Sequence, residues 1–195
     1  MAKGRRGKKS EYIKAVKTAE QRALKNLWRT GVVTKSQLEK HYELHGERLA
    51  KFEKSGFISI QQDLIRLDKK GIDYCNKELK LDPSYRYRSQ SNHLKHDLKL
   101  TVAYLKLNPE IQETWKTEMQ LYYEAKAQDN FLTFKQEMTE QHPSGHFKAV
   151  PDAAIQDPNT GLYMAFECVT KNYNEADIAQ KEAFSAQYLG GIYKF

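Results

Sequence analysis

The stretch Gly56-Phe57-Ile58-Ser59-Ile60-Gln61-Gln62-Asp63-Leu64-Ile65-Arg66-Leu67-Asp68-Lys69-Lys70-Gly71 is where the pattern of the chain changes from helical to extended. Two short apolar runs, Phe57–Ile60 and Leu64–Leu67, flank the polar turn Gln61-Gln62-Asp63, which predicts a two-stranded hairpin. Upstream, Val16, Ala19, Ala23, Leu24 and Leu27 recur at three- and four-residue steps and predict a helix over Tyr12–Arg29, capped by Ser10 and closed by Gly31. Thr34 caps a second helix to about His41 with Leu38 turned inward. A third runs from about Glu47 to Ser55 on Leu49 and Phe52, with Gly56 as its left-handed cap. Downstream of the hairpin, Asp68 caps a last helix carrying Ile72, Tyr74, Cys75 and Leu79.

Helix, helix, helix, hairpin, helix is the order of a winged helix-turn-helix domain, placed here at residues 10–80. The run Ile65–Gly71 resembles the strand-cap-glycine end of many such domains. On the third helix Arg48, Lys51 and Lys54 recur every three residues, opposite Leu49 and Phe52, as candidates to face a DNA groove. An ordinary solvated face, or a protein-docking surface, is the competing use of the same residues.

Charge separates the two halves of the 195-residue chain. Residues 1–80 hold 20 Lys/Arg against 10 Asp/Glu, a net of +10, while residues 81–195 carry a net of −3. A basic half of this kind points to a polyanion, because neutralising phosphates releases condensed counterions. Residues 1–9 carry Lys3, Arg5, Arg6, Lys8 and Lys9, the composition of a disordered basic arm that grips phosphates or simply keeps the terminus soluble. No apolar run follows them, so no secretory signal is expected; no run is long enough to span a membrane, and a cytoplasmic protein is expected. Cys75 and Cys168 lie far apart, without zinc-type spacing, which leaves reduced thiols.

Residues 81–90, with Pro83, Ser84 and the alternation Tyr85-Arg86-Tyr87-Arg88, read as a linker lying against the surface, with a weaker signal for a nucleic-acid clamp. Residues 91–195 predict a second unit. A helix covers about Asn92–Leu107, a strand about Gln112–Tyr122, and residues 124–146 form a polar excursion. Phe147–Ile155 and Leu162–Thr170 are extended runs around a turn-rich loop at Gln156–Gly161, followed by a helix at Glu175–Leu189 and a strand at Ile192–Phe195.

The resulting α-β-β-β-α-β order is similar to the PD-(D/E)XK, or restriction-endonuclease-like, superfamily, and so predicts an α+β protein with a mixed sheet in its second half. Val150-Pro151-Asp152 stands where that superfamily has its PD element, and Glu167 stands on the next strand. Both carboxylates are expected at one sheet edge, able to hold Mg²⁺, with Glu118 as a third acid on the first strand. The family's lysine, two residues after the second acid, is replaced by Val169. Lys171, further along the same strand face, and Lys181, on the following helix, are the candidates to take its catalytic role. A resemblance covering nearly the whole chain is to the replication-relaxation proteins of plasmids and conjugative elements. It rests on His93-x-Leu-x-x-Asp97, Trp115-x-x-Glu118, Val150-Pro151-Asp152, Phe166-Glu167 and Lys181. His93, His96, His142 and His146 form no ligand set, and His93 is expected to pack near the site or cap its helix.

These features together imply a protein that binds double-stranded DNA in replication, relaxation or mobilisation of a plasmid, phage or transposable element. The resemblance implies Asp152, Glu167, Lys171 and Lys181 as catalytic residues of a Mg²⁺-dependent endonuclease or of its inactive derivative, and relaxosome proteins or a second copy as partners. A non-enzymatic regulator, whose second domain dimerises or binds another protein, is the alternative.

Overall fold

A computed structural model of the chain describes residues 13, 15–171 and 173–195. The basic arm with Lys3, Arg5 and Arg6, and the expected Ser10 cap, lie outside the described residues. The protein is α+β, with two separate sheets of which the second mixes parallel and antiparallel pairing.

The first half runs α1 (Thr18–Thr30), β1 (Val33–Thr34), α2 (Lys35–Tyr42), α3 (Gly46–Lys54), β2 (Ile58–Gln61), β3 (Leu64–Leu67) and α4 (Lys69–Lys77). Gly31 closes α1 as expected, at φ +80, and its N–H bonds to Leu27 O. Thr34 caps α2 by accepting the Gln37 N–H, and the Thr34 N–H donates in turn to Gln37 Oε1. The hairpin forms with Ile60 opposite Ile65, and Gln61 pairs with Leu64, so the turn is two residues rather than three. Gln62 occupies the left-handed region there, at φ 59. The short β1 adds a third strand on the other side of β3. Helix α1 begins at Thr18 rather than Tyr12, and Ile13 and Val16 pack on the core ahead of it. Leu24, Leu27, Leu38, Phe52, Ile58 and Ile65 fill that core, each burial contributing about 1.5–3 kcal/mol.

The second half runs α5 (Leu94–Lys106), α6 (Pro109–Glu113), β4 (Lys116–Thr117), α7 (Glu118–Lys126), α8 (Phe131–Gln141), β5 (Ala153–Gln156), β6 (Tyr163–Glu167), α9 (Glu175–Tyr188) and β7 (Ile192–Lys194). The sheet order is β4-β5-β6-β7, antiparallel except for β6 with β7. The strand expected over Gln112–Tyr122 is corrected to the end of α6, a two-residue β4 and the start of α7. Two helix starts interrupt it: Asn108 accepts the Ile111 N–H ahead of Pro109, and Thr117 accepts the Gln120 N–H. The polar excursion at 124–146 is mostly helical, because Leu121, Ala125, Phe131, Phe134 and Met138 bury one side of α7 and α8 against Phe184.

Polar bonds lock the halves together. The Thr101 hydroxyl on α5 donates to Val32 O at 2.7 Å, and the buried Arg29 of α1 bonds Tyr104 Oη at 3.1 Å and Glu113 at 3.2 Å. The linker is pinned at both flanks: Tyr87 N–H donates to Trp28 O at 3.0 Å, and the Thr117 hydroxyl donates to Tyr85 O at 2.6 Å. Gly31 makes this close approach possible, since a Cβ there would stand 2.8 Å from Ser89 N and 2.9 Å from the Tyr87 ring.

Candidate functional site

Asp152 directly precedes β5 and Glu167 ends β6; these strands pair with Ala153 opposite Phe166, which brings the two acids to one sheet edge. Both are buried. The Asp152 N–H donates to Glu167 Oε2 at 3.0 Å, and the Cys168 N–H donates to Asp152 Oδ2 at 2.8 Å. Glu118 stands at the first position of α7 rather than on a strand, and its N–H donates to Asp152 O at 3.1 Å. Its side chain is exposed and lines the cleft.

Lys181 crosses from α9 to the same edge. Its Nζ lies 2.8 Å from Val150 O and 3.0 Å from Glu167 Oε1. The second contact is an ion pair without hydrogen-bond direction, and Glu167 Oε1 has no hydrogen-bond partner. Lys171 is not on a strand face with Glu167, because β6 stops at Glu167. It lies exposed at the cleft margin, while Val169 donates its N–H to Phe195 O. Of the two candidate lysines, the fold brings Lys181 to the acids.

A histidine that the sequence did not single out completes the edge. His96 Nε2 lies 3.0 Å from Asp152 Oδ2 and His96 Nδ1 lies 3.3 Å from Asp97 Oδ1, which also accepts the Tyr87 hydroxyl at 2.7 Å. His93, expected to pack near the site or cap α5, occupies the N-cap position without a side-chain capping bond and lines the cleft.

The electrostatics of these groups follow from crowding. Burial and the neighbouring Asp152 charge push the Glu167 carboxyl above the usual range, against the pull of Lys181. Desolvation within the cleft likewise raises Glu118, with Asp152 and Glu167 adding to it. Burial alone would lower His96, but its bonds to Asp152 and Asp97 outweigh that and raise it to about 10, so the ring is a cation at neutral pH. Burial would raise Asp97, yet His96, Ser89 and Tyr87 hold it below its ordinary value.

Asp97, Glu118, Asp152 and Asp177 line a cleft of about 1270 Å³ whose margin is made by the linker, the start of α5, α7 and the β6–α9 segment. Arg86, Arg88, Lys95 and Lys171 stand around it. An acidic floor inside a basic margin is an arrangement for an anion whose charge a cation on the floor must meet. Among the described residues no three His, Cys, Asp or Glu side chains form a ready cage for a metal.

In the first half, Lys51 and Lys54 are exposed on α3. Arg48 is held back against α1, its Nε 2.5 Å from Glu20 Oε1 and its Nη2 2.7 Å from Ala15 O. Burial would raise Glu20, but this pair holds its carboxyl below the usual range. The three basic residues therefore do not form one uniform face.

Among the described residues no helix is long and apolar enough to cross a membrane. Comparison with protein-family models, with curated proteins and with solved structures finds no match to the chain.

Proposed function

We propose that this chain acts on DNA in the replication, relaxation or mobilisation of a plasmid, phage or transposable element. Its first half serves as a winged helix-turn-helix that grips duplex DNA, and residues 91–195 as a PD-(D/E)XK-like, Mg²⁺-dependent endonuclease core. The observation that carries this is the meeting of Asp152, Glu167 and Lys181 at one sheet edge, under a cleft with a basic margin. In support of the first half stand its element order, its charge and the exposed Lys51 and Lys54.

The residues fit a hard divalent ion. The donors are carboxylate oxygens, Glu167 Oε1 is buried against the Lys181 ammonium at 3.0 Å without a directed hydrogen bond, and Mg²⁺ commonly takes only one or two protein carboxylates while keeping its waters. Asp152 and Glu167 would hold the ion, with Glu118 joining from α7. Such an ion supplies an acidified water and a positive charge against the phosphoryl oxygens. Lys181 orients Glu167 and stabilises negative charge developing on the phosphate. His96 fixes the Asp152 carboxylate by holding Oδ2, and is itself oriented by Asp97. Lys171, at the margin, meets the substrate rather than the reacting atoms.

Nicking of supercoiled plasmid in Mg²⁺ or Mn²⁺ tests this. Asp152→Asn and Lys181→Ala should each lower the rate by at least about a hundredfold, whereas Lys171→Ala should retain most of it. Metal binding and DNA binding without nicking would mark an inactive core, and absence of metal binding would leave the non-enzymatic regulator.

A further inference from the structure

We infer that the cleft binds a single strand of DNA, gripped by Arg86, Arg88, Lys95 and Lys171 and stacked through a base on Tyr123 beside Met119. This rests on the proposed reading of the chain as a DNA-acting protein and adds that the core takes an unpaired strand while the first half takes the duplex.

Three observations converge on it. Arg88, Lys95 and Lys171 are exposed and Arg86 is half-buried beside Arg88; among the described residues none of their side chains has an ion-pair or hydrogen-bond partner. The acids instead pair inward: Asp97 with His96 and Tyr87, Asp152 with His96, Glu167 with Lys181, Asp177 with Lys148. Four cations left unpaired at the margin of one cleft are free to meet successive phosphates. The backbone that carries Arg86 and Arg88 is held in advance, because the linker is bonded to Trp28 O on one side and to the Thr117 hydroxyl on the other. Less ordering entropy is then lost on binding.

The apolar surface in the same cleft sets the form of the nucleic acid. Tyr123 is 42% exposed and Met119 39% exposed, both on α7 beside Glu118. Tyr123 is braced by Tyr85 of the linker, ring centroids 6.1 Å apart. Aromatic side chains between phosphate-binding cations are the usual platform for unpaired bases, whose faces a duplex keeps stacked on one another. The space is concave, whereas duplex reading needs an element that projects into a groove. At about 1270 Å³ the cleft also exceeds the roughly 300–1,000 Å³ typical of a small-molecule site, as a strand of several nucleotides requires.

The test uses the full chain with Ca²⁺ in place of Mg²⁺, so that the floor carries a cation while cutting is suppressed, with a fluorescent twelve-nucleotide strand and its blunt duplex in anisotropy titrations over a salt series. The triple variant Arg88→Ala/Lys95→Ala/Lys171→Ala should lose at least roughly tenfold in single-strand affinity. Its log–log salt slope should fall by about 2, at about 0.7 per phosphate contact. Tyr123→Ala should lose roughly tenfold on the single strand with an unchanged slope. Both should keep duplex binding within about twofold and melt normally, while Lys51→Ala/Lys54→Ala should show the reverse selectivity. Unchanged single-strand affinity in either cleft variant, equal loss on strand and duplex, or full competition by a mononucleotide would overturn the inference. A wild type that binds duplex but no single strand would overturn it alone, and one that binds neither would also remove the proposed function.

Discussion

The two halves of this protein carry their charge in opposite ways. In the first half the lysines of α3 stand in water above an apolar core, and among the described residues the buried charges there are Glu20 and Arg29, each held by a partner. In the second half Asp97, Asp152, Glu167, Asp177 and Lys181 are all buried, and most of them meet around one cleft. Exposed charges cost the fold almost nothing and change how a partner is attracted. Buried ones are expensive to desolvate, and a cluster of them persists where function requires it. On the proposed reading, the same residue types set affinity in one half and chemistry in the other.

The largest expected effect comes from breaking the buried side of this contrast. Lys181→Met leaves Glu167 without its cation and should cost about 3 kcal/mol in urea unfolding at pH 8. The loss should shrink at pH 5.5, where Glu167, with its raised pKa, more readily takes a proton. Adding Glu167→Gln to Lys181→Met should restore much of the stability, which a double-mutant cycle would report as coupling between the two sites. Additive losses would mean that the ion pair is not the element holding this edge together.

The joint between the halves should be next. Gly31→Ala places a side chain at φ +80 against Ser89 and Tyr87, and should cost about 2 kcal/mol. It should also disturb the Tyr87–Asp97–His96–Asp152 chain, so any nicking activity falls further than stability alone explains. An activity loss no greater than the unfolded fraction would show that the linker does not brace the cleft.

His96 gives a pH signature confined to the second half. Its folded pKa of about 10 lies above the ordinary 6.5, so the charged ring stabilises the fold fully below about pH 6.5, and this is lost as pH rises toward 10. Metal-free wild type should lose on the order of 2 kcal/mol across that window. His96→Gln should be less stable at pH 6 and flatter with pH, as followed by chemical denaturation. Identical pH profiles would take His96 out of the charged network.

The smallest effect on stability belongs to the first half. Lys51→Ala/Lys54→Ala should change unfolding free energy by under about 0.5 kcal/mol and yet weaken duplex binding with a shallower salt dependence. A large drop in melting temperature would show that these lysines pack or pair.

What the sequence disclosed follows the same division. The hairpin around Gln62 was legible because strand alternation and the Thr34, Gly31 and Asp68 signals are local. The placement of Asp152 and Glu167 on adjoining strands was legible from the spacing of two extended runs around a turn. The strand expected at Glu118 failed although its cause is local: Thr117 three residues before Gln120 is a helix start inside a stretch that alternates apolar and polar residues. The choice between Lys171 and Lys181 was not legible, since it depends on where β6 ends and on how α9 lies across it. Nor was His96, whose partner Asp152 is 56 residues away and meets it only through the packing of α5 on the sheet edge.

The central claim, that the second half's acids form a metal site, is tested most directly by a melting curve with and without Mn²⁺. At a hundredfold excess over its dissociation constant the ion should stabilise the wild type by about 2.7 kcal/mol. That raises the melting temperature by roughly 5–10 °C for a chain of this size. Asp152→Asn should abolish the rise, while Lys51→Ala/Lys54→Ala should keep it in full. No shift in the wild type, or an equal shift in Asp152→Asn, would contradict the claim.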